Sequence, residues 1–347
     1  MAAARSLATV PTGRPDNVQV CTALLAAMLL SGCFRSASEA YDAELFPPTD
    51  ASTTPADATT PADAAVAEDA AAPCPGGCEV AGGFNFPFAM THHGGTIYVA
   101  EWSGGGVWTL PLGGGAATRL FDAGDGVWAL ATDGVNLFWS NSSGIFRGLV
   151  GGGSATLWQA TDSPCGVAID VGWLYWVSTT GGVFRALIAD GSPETLLAAE
   201  PFNNIAVGGG QVVVSRYASD GIVGTMPVGG GALQVLASAQ DGPWGVAVSG
   251  GFAYWLTHTA GELKRTSVAG GAVETLGTSN NGLHQLAVIG SDVYIANDQN
   301  GELLRYSDAD GLVVHASGLG SPKNLFVEGE FIYFTERDGG RVARVAR

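Results

Sequence analysis

The chain repeats about every 40 residues, and side chains that could bind a ligand occupy two positions in each repeat. At one place the side chain is aromatic, polar or basic, and we name these seven positions the inner ring: Phe88, Trp128, Cys165, Asn203, Trp244, His284 and Lys323. At the other the side chain is polar or charged, and we name these positions the second ring: Glu101, Asn141, Ser178, Arg216, Thr257, Asn297 and Glu336.

The types of side chain in the two rings indicate the chemistry they could perform. Trp128 and Trp244 could stack on a sugar or anchor a peptide, unless they simply fill the centre of the fold. We predict a ligand-binding set drawn from both rings: Trp128, Trp244, His284, Asn203, Lys323 and Arg216.

Oxygen-bearing side chains of the second ring allow a different site. Glu101, Asn297 and Glu336 could hold a divalent cation, or supply an acid and a base. The alternative is a solvated polar rim in which Lys323 and Glu336 form an ion pair of little energetic weight.

The elements that must position both rings follow from a repeat of seven short apolar runs. One place in each run is aromatic in six of the seven repeats, and an apolar residue lies eight positions earlier. Short apolar runs separated by Gly-rich turns at this period are typical of β-propeller blades. We therefore predict an all-β, seven-bladed β-propeller with four-stranded antiparallel blades. The seven places are Tyr98, Phe138, Tyr175, Val213, Tyr254, Tyr294 and Tyr333, of which only Val213 is not aromatic.

The seventh repeat lacks a fourth strand, because the sequence ends after a third one near Arg341. The segment around Val80 stands seven residues before Pro87, as Leu157 stands before Pro164. An unpaired sheet edge is unfavourable. We therefore expect the N-terminal strand near Val80 to complete the last blade and close the ring.

The N-terminal third predicts export and tethering. Residues 20–30 form an apolar run of signal-peptide length, which leads into Leu30-Ser31-Gly32-Cys33. This resembles the lipobox of bacterial lipoproteins, which implies cleavage before Cys33 and its lipidation. Phe34 in place of the Asp that retains lipoproteins in the inner membrane implies the outer membrane. We predict a signal peptide over 1–32, an anchor and disordered acidic Ala/Pro/Thr-rich linker over 33–73, and a propeller over 74–347.

Charge and cysteines narrow the function further. The formal net charge of −17 argues against nucleic acid and against direct contact with anionic lipid head groups. The membrane contact expected is therefore the lipid anchor alone. In an exported protein Cys74 and Cys78 can form a disulfide across their Pro-Gly turn. Cys165 begins an inner strand far from them, and we expect it to be unpaired.

Two families of propellers are similar to this chain in short motifs. Phe138-Trp139, Tyr175-Trp176 and Tyr254-Trp255 resemble the opening of the YWTD repeat, although that family has six blades. Phe334-Thr335-Glu336 resembles streptogramin lyase and NHL-type propellers. Those lyases combine a His near the start of an inner strand with a Glu at the end of the next strand; here His284 is followed by Asn297, and Glu336 is preceded by Lys323.

Three functions remain open at this point. The first is a monomeric, envelope-tethered lipoprotein that binds a protein, peptide or glycan through the channel face and needs no cofactor. The second is a lactonase- or lyase-like enzyme that uses a divalent cation at the same face. The third is a structural scaffold of the envelope.

Overall fold

The computed structural model describes residues 77–124 and 126–347. Within these ranges the chain folds into seven sheets, each of four antiparallel strands. The predicted seven-bladed β-propeller is therefore confirmed, and a six-bladed ring is excluded. The signal peptide, lipobox, acidic linker and Cys74 lie outside the described residues.

The first four blades follow one another in sequence, and in each blade the first strand lies innermost. Blade one comprises β2 (Pro87–His93), β3 (Thr96–Glu101), β4 (Gly106–Pro111) and β5 (Thr118–Asp122). Blade two comprises β6 (Ala129–Thr132), β7 (Asn136–Asn141), β8 (Gly144–Leu149) and β9 (Thr156–Gln159). Blade three comprises β10 (Pro164–Asp170), β11 (Trp173–Ser178), β12 (Val183–Leu187) and β13 (Pro193–Leu197). Blade four comprises β14 (Asn204–Gly208), β15 (Gln211–Arg216), β16 (Gly221–Pro227) and β17 (Gln234–Gln240).

The last three blades repeat this order, and the seventh takes its outer strand from the other end of the propeller. Blade five comprises β18 (Pro243–Ser249), β19 (Phe252–Thr257), β20 (Glu262–Ser267) and β21 (Glu274–Thr278). Blade six comprises β22 (Leu283–Ile289), β23 (Asp292–Asn297), β24 (Glu302–Ser307) and β25 (Gly311–Ser317). Blade seven comprises β26 (Pro322–Glu328), β27 (Phe331–Glu336), β28 (Arg341–Ala346) and β1 (Cys78–Gly82).

Closure of the ring follows the prediction made from Val80. Strand β1 pairs antiparallel with β28, with Cys78 opposite Arg344 and Gly82 opposite Arg341. Val80 itself is 6% exposed and packs in a core cluster with residues of blades one and seven. The two ends of the propeller therefore share one sheet, and the last blade has no missing strand.

The aromatic residues that mark the repeat lie in the second strand of each blade and form the core between blades. Tyr175, Tyr254 and Tyr294 are each at most 6% exposed. Neighbouring blades pack on both faces of a sheet, so inner strands are apolar on both sides. Glycines make the turns between the first two strands: Gly250 and Gly251 have φ values of 58° and 81°, which favour a tight hairpin turn.

Arginines of the third strands connect blade two to blade three and blade three to blade four. Arg185 lies opposite Tyr175 in the ladder, and its guanidinium stands 4.1 Å from the Trp173 ring centroid. Its Nη1 donates a hydrogen bond of 2.8 Å to the carbonyl of Val228 in blade four. A stacked guanidinium that also donates to a carbonyl fixes the spacing of adjacent blades.

Both described cysteines are disulfide-bonded. Cys78 lies in the outermost strand of blade seven, and Cys165 lies in the innermost strand of blade three. The prediction that Cys165 is unpaired is therefore wrong. The pairing of Cys78 with Cys74 stays a prediction, since Cys74 lies outside the described residues.

No helix long and apolar enough to cross a membrane occurs within residues 77–124 and 126–347.

Candidate functional site

The inner ring lies at the mouth of the central channel, where each first strand begins. A proline immediately precedes four of its members and sets the backbone angle at which the strand enters the sheet. The aromatic members Phe88, Trp128, Trp244 and His284 are half-buried, whereas Cys165, Asn203 and Lys323 are buried. The predicted positions are therefore correct as places in the fold, but only the aromatic part of the ring presents broad surface to the channel.

The second ring serves its own blades. Six of its seven members are at most 5% exposed, and Arg216 is the exception. The Asn141 amide donates to the carbonyl of Ala123 at 2.8 Å and accepts from the Ser143 backbone N–H at 2.8 Å. Thr257 Oγ1 accepts from the Glu262 backbone N–H at 2.9 Å. These side chains satisfy backbone groups of the neighbouring loops, which would otherwise be buried without partners.

The residues predicted to bind a metal also bond to other groups within the fold. Glu101 accepts the backbone N–H groups of Asn85 and Gly106 at 2.7 and 3.1 Å. Glu336 forms a two-pronged ion pair with Arg341, at 2.6 and 3.1 Å, and not the pair with Lys323 considered from the sequence.

Asn297, the third predicted ligand, uses its Oδ1 on the side chain and backbone of Asn300. Its Nδ2 is buried and makes no hydrogen bond. No group of three or more His, Cys, Asp or Glu side chains suited to a metal ion occurs among the described residues. All three predicted ligands thus have partners within the fold, and the metal site stays a prediction.

Two further predicted binding residues also have partners within the fold. Arg216 stands 3.7 Å from Glu200 in an ion pair. Asn203 Oδ1 accepts the backbone N–H of Tyr217 at 2.7 Å, which joins the start of strand β14 to the end of β15. Both residues lie near the mouth, and both are bonded to neighbouring residues there.

Sequence reasoning missed a third ring, formed by the residues that directly follow the second ring: Trp102, Ser142, Thr179, Tyr217, His258, Asp298 and Arg337. In five blades the backbone N–H of this residue donates to the carbonyl of the residue that precedes the first strand, as His258 does to Gly242 at 2.8 Å. Successive side chains of a strand point to opposite faces. The second ring points into the blade, whereas Trp102 and Tyr217 of the third ring contact aromatic residues of the inner ring. The signal that could have found these residues is this alternation.

Aromatic rings of the inner and third rings form a continuous cluster at the mouth. On one side Trp102 and Trp128 lie 4.2 Å apart between centroids, and Phe88 contacts both. Phe88 then meets His284 edge-on at 5.5 Å.

The cluster continues on the other side of the mouth. His284 contacts Trp244 at 5.5 Å, and Tyr217 meets Trp244 at 5.3 Å. We name these aromatic residues the aromatic mouth: Phe88, Trp102, Trp128, Tyr217, Trp244 and His284.

A charged pair supports one side of this mouth. The Lys323 ammonium group bonds Oδ2 of Asp298, and both side chains are at most 3% exposed. Asp298 Oδ1 makes no hydrogen bond and lies 3.8 Å from His258 Nε2. Burial by itself would raise the pKa of Asp298, but the nearby His258 and Lys323 side chains outweigh it and lower that pKa below its usual range. The pair is therefore ionised and neutral as a unit.

His284 is held in one neutral form. Burial, reinforced by the charge of Lys323, lowers the pKa of His284 to about 3. Its Nδ1 lies 2.8 Å from the carbonyl oxygen of Lys323, and because a carbonyl only accepts, Nδ1 carries the proton and donates. The other ring nitrogen, Nε2, therefore carries a lone pair at neutral pH.

Below the mouth lies a cavity of about 230 Å³. The residues that line it stand at three successive places along the inner strands, and we name these places its layers. The first layer is aromatic and includes Phe88, Trp128, Trp244 and His284. The second layer carries the side-chain amides of Asn204, Gln285 and Asn324. The third layer is apolar: Met90, Leu130, Val167, Ile205 and Leu325. Along the inner strands an aromatic place, an amide place and an apolar place thus follow one another, and we name them the entrance, the belt and the floor.

Comparison with solved structures finds propellers of the same type. A catalytically inactive histidine variant of virginiamycin B lyase from Staphylococcus aureus, solved with quinupristin, has a TM-score of 0.67 at 15% identity and covers 78% of this chain and 98% of its own. A streptogramin B lyase has a TM-score of 0.66 at 13% identity, covering 75% and 93%. The extracellular domain of a candidate one-component system from Bacteroides thetaiotaomicron has a TM-score of 0.59 at 14% identity, covering 78% and 39%.

At these identities the similarity establishes the fold alone. No protein-family model matches the sequence, and no curated protein matches it.

Proposed function

We propose that this protein is an exported propeller, tethered to a bacterial envelope through a lipid on Cys33, that binds a protein, peptide or glycan at its channel mouth. The observation that carries the proposal is the aromatic mouth above a three-layered cavity. Half-buried Trp and Tyr side chains supply large contact areas at low entropic cost, and sites with apolar walls and a few polar groups are typical ligand sites.

The charged side chains that the structure describes at the mouth are paired, which agrees with a binding role. Lys323 is neutralised by Asp298, and Arg216 is paired with Glu200. A ligand would therefore be held by stacking and hydrogen bonds.

The binding proposal is tested with tryptophan fluorescence and calorimetry on the full-length chain. Probes are a panel of neutral oligosaccharides and the cyclic peptide quinupristin. We expect at least one probe to bind, and Trp244→Ala to abolish its binding. Trp173→Ala is the matched control, because Trp173 is also half-buried but stacks on Arg185 at the end of the blade away from the mouth.

Equal binding by both variants would contradict the proposal. If none of the probes binds, the scaffold function is favoured. Cross-linking in cells would then identify the neighbours of the protein.

The envelope location is proposed from the predicted lipobox, and the extracellular placement of one structural neighbour is consistent with it. Metabolic labelling with palmitate should mark the wild-type protein and leave Cys33→Ser unlabelled. Density-gradient separation should place the labelled protein with the outer membrane. Light scattering of the detergent-solubilised protein should give the mass of a monomer.

One observation favours a second function, that of a lyase- or lactonase-like enzyme. His284 is neutral, is oriented through Nδ1 and keeps a lone pair on Nε2, which is the arrangement that a general base needs. His284→Gln should abolish turnover of cyclic esters such as quinupristin if this function is correct. Addition of Mg²⁺ or a chelator would show whether a divalent cation takes part. Wild-type protein with no turnover under either condition would remove the enzyme hypothesis.

A further inference from the structure

We infer that the channel cavity is a subsite for one N-acetylated sugar ring, an N-acetylhexosamine. This inference rests on the proposed binding function and specifies its ligand. It follows from the order of the three layers, from one unpartnered amide oxygen and from the volume of the cavity.

The groups around the mouth are neutral in sum, which favours an uncharged ligand. Asp298 and Lys323 form a neutral pair, and His284 is held neutral by burial and by the charge of Lys323. Transfer of a charged ligand group into this setting would leave it without a counterion, which is costly. A sugar that carries carboxylate, sulfate or ammonium groups is therefore disfavoured.

The amide belt exists because the blades differ at one place, the residue that follows the inner ring. In blades one, two, three and five this residue is Ala or Gly, which leaves the channel open. In blades four, six and seven it is an amide: Asn204, Gln285 and Asn324. Amides can donate and accept, as hydroxyl and acetamido groups can, so the belt matches a ligand that carries several such groups.

Within this belt Gln285 has an unmet hydrogen-bonding requirement. Its Oε1 is buried and makes no hydrogen bond. The side chain lies over Gly245, where an added Cβ would stand 3.0 Å from that Oε1 and 2.7 Å from the His284 carbonyl. A buried unpaired acceptor costs free energy until a donor reaches it. The N–H of an acetamido group is such a donor.

The remaining layers fit the other parts of the same ligand. The floor residues, among them Met90 and Leu130, are apolar and suit the acetyl methyl group. The faces of Trp128 and Trp244 at the entrance suit the C–H face of a pyranose ring. A cavity of about 230 Å³ is smaller than the usual volume of drug-sized sites, so it holds one ring and not an extended chain.

A peptide side chain fits this arrangement less well. An aromatic peptide side chain carries one polar atom at most, and it would cover the amide belt without satisfying it. A sugar carries hydrogen-bonding groups around its whole edge, so it can contact all three amides while its face stacks on tryptophan. A cyclic peptide is therefore the competing outcome of the test.

The test compares N-acetylglucosamine and its β-1,4-linked disaccharide with glucose and glucosamine, using calorimetry and tryptophan fluorescence on the full-length chain. We expect N-acetylglucosamine to bind at least roughly tenfold more tightly than glucose, because the acetamido contact is worth about one hydrogen bond and one methyl burial. Glucosamine, which carries a positive charge, should bind more weakly still. This comparison uses wild-type protein only and does not depend on any variant folding.

The variant Gln285→Leu keeps the size of the side chain and removes its acceptor. It should weaken N-acetylglucosamine binding roughly tenfold while leaving glucose binding little changed. Gln234→Leu is the matched control, because that exposed amide on the outer strand of blade four bonds only the Ala269 carbonyl at 3.0 Å. Its affinity should equal that of wild type.

Three outcomes would overturn the inference: equal affinity for glucose and N-acetylglucosamine, no binding of either, or unchanged binding in Gln285→Leu. If quinupristin binds and loses its affinity in Trp244→Ala while the sugars do not bind, the inference fails and the binding function stands. If neither sugar nor peptide responds to Trp244→Ala, both fail.

Discussion

The second and third rings differ by one position in the sequence and have opposite roles in the molecule. Glu101, Asn141 and Thr257 point into their blades and hold loop backbone in place. Their immediate successors include Trp102 and His258, which contact other rings at the channel mouth. Variation among repeats is therefore not by itself a sign of a ligand site. A varied polar residue can equally serve the particular loop that its own blade carries.

Lys323 tests the comparison most severely, because it belongs to the inner ring yet is buried like the second ring. Lys323→Met should destabilise the protein by about 3–5 kcal/mol, since it leaves the Asp298 carboxylate buried without its partner. Urea unfolding followed by circular dichroism measures the loss. The double variant Lys323→Met/Asp298→Leu should recover most of it, and a single variant as stable as wild type would show that the pair has no structural role.

Glu101 sharpens the distinction from the other side. Glu101→Ala removes the acceptor of two backbone N–H groups and should cost about 2–3 kcal/mol of unfolding free energy. Ligand affinity of the folded variant should be unchanged. A loss of affinity with little loss of stability would return Glu101 to the binding site, where the sequence had placed it.

His284 of the inner ring should make the stability of the protein depend on pH. Its pKa in the folded protein is about 3, below the usual value of 6.5, so the unfolded chain binds the proton first as pH falls. The contribution of His284 to the free energy of unfolding should therefore be fully present above pH 6.5 and decline toward pH 3, with about 2 kcal/mol lost by pH 5. Unfolding of wild type and His284→Asn across this range isolates the effect, and parallel pH profiles would contradict it.

Two adjacent residues of blade two offer the smallest and cleanest contrast. Asn141→Ala removes a buried amide that joins two loops and should cost about 1–2 kcal/mol. Ser142→Ala changes an exposed third-ring side chain and should stay within about 0.5 kcal/mol of wild type. Thermal melts of the two variants measure the difference, and equal melting temperatures would mean that the two rings do not differ in role.

Much of the fold could be predicted because its signals are local and repeated seven times. The spacing of Tyr98, Tyr175 and Tyr254 identified the second strands, and the unpaired third strand near Arg341 identified the segment around Val80 as the closing strand.

The candidate site was predicted only in part, because its geometry depends on which way side chains point. Trp128, Trp244 and His284 were placed correctly at the mouth. Trp102, Tyr217 and Asp298 were missed, because each lies just beyond the end of its second strand, and only the folded blade brings it beside the start of the first strand. The position of His258, 3.8 Å from Asp298 of the next blade, also depends on a contact that the sequence does not show.

The sequence by itself determined the number of blades, the strand that closes them and the set of positions from which a channel site must be drawn. These depend on periodicity and on the alternation of apolar residues, which every local segment carries. Only the tertiary structure decided which of those positions face the channel, that Lys323 pairs with Asp298 and not Glu336, and that Asn204, Gln285 and Asn324 line one cavity. Such contacts join residues of different blades, and their free energy depends on distances and burial that the circular arrangement creates.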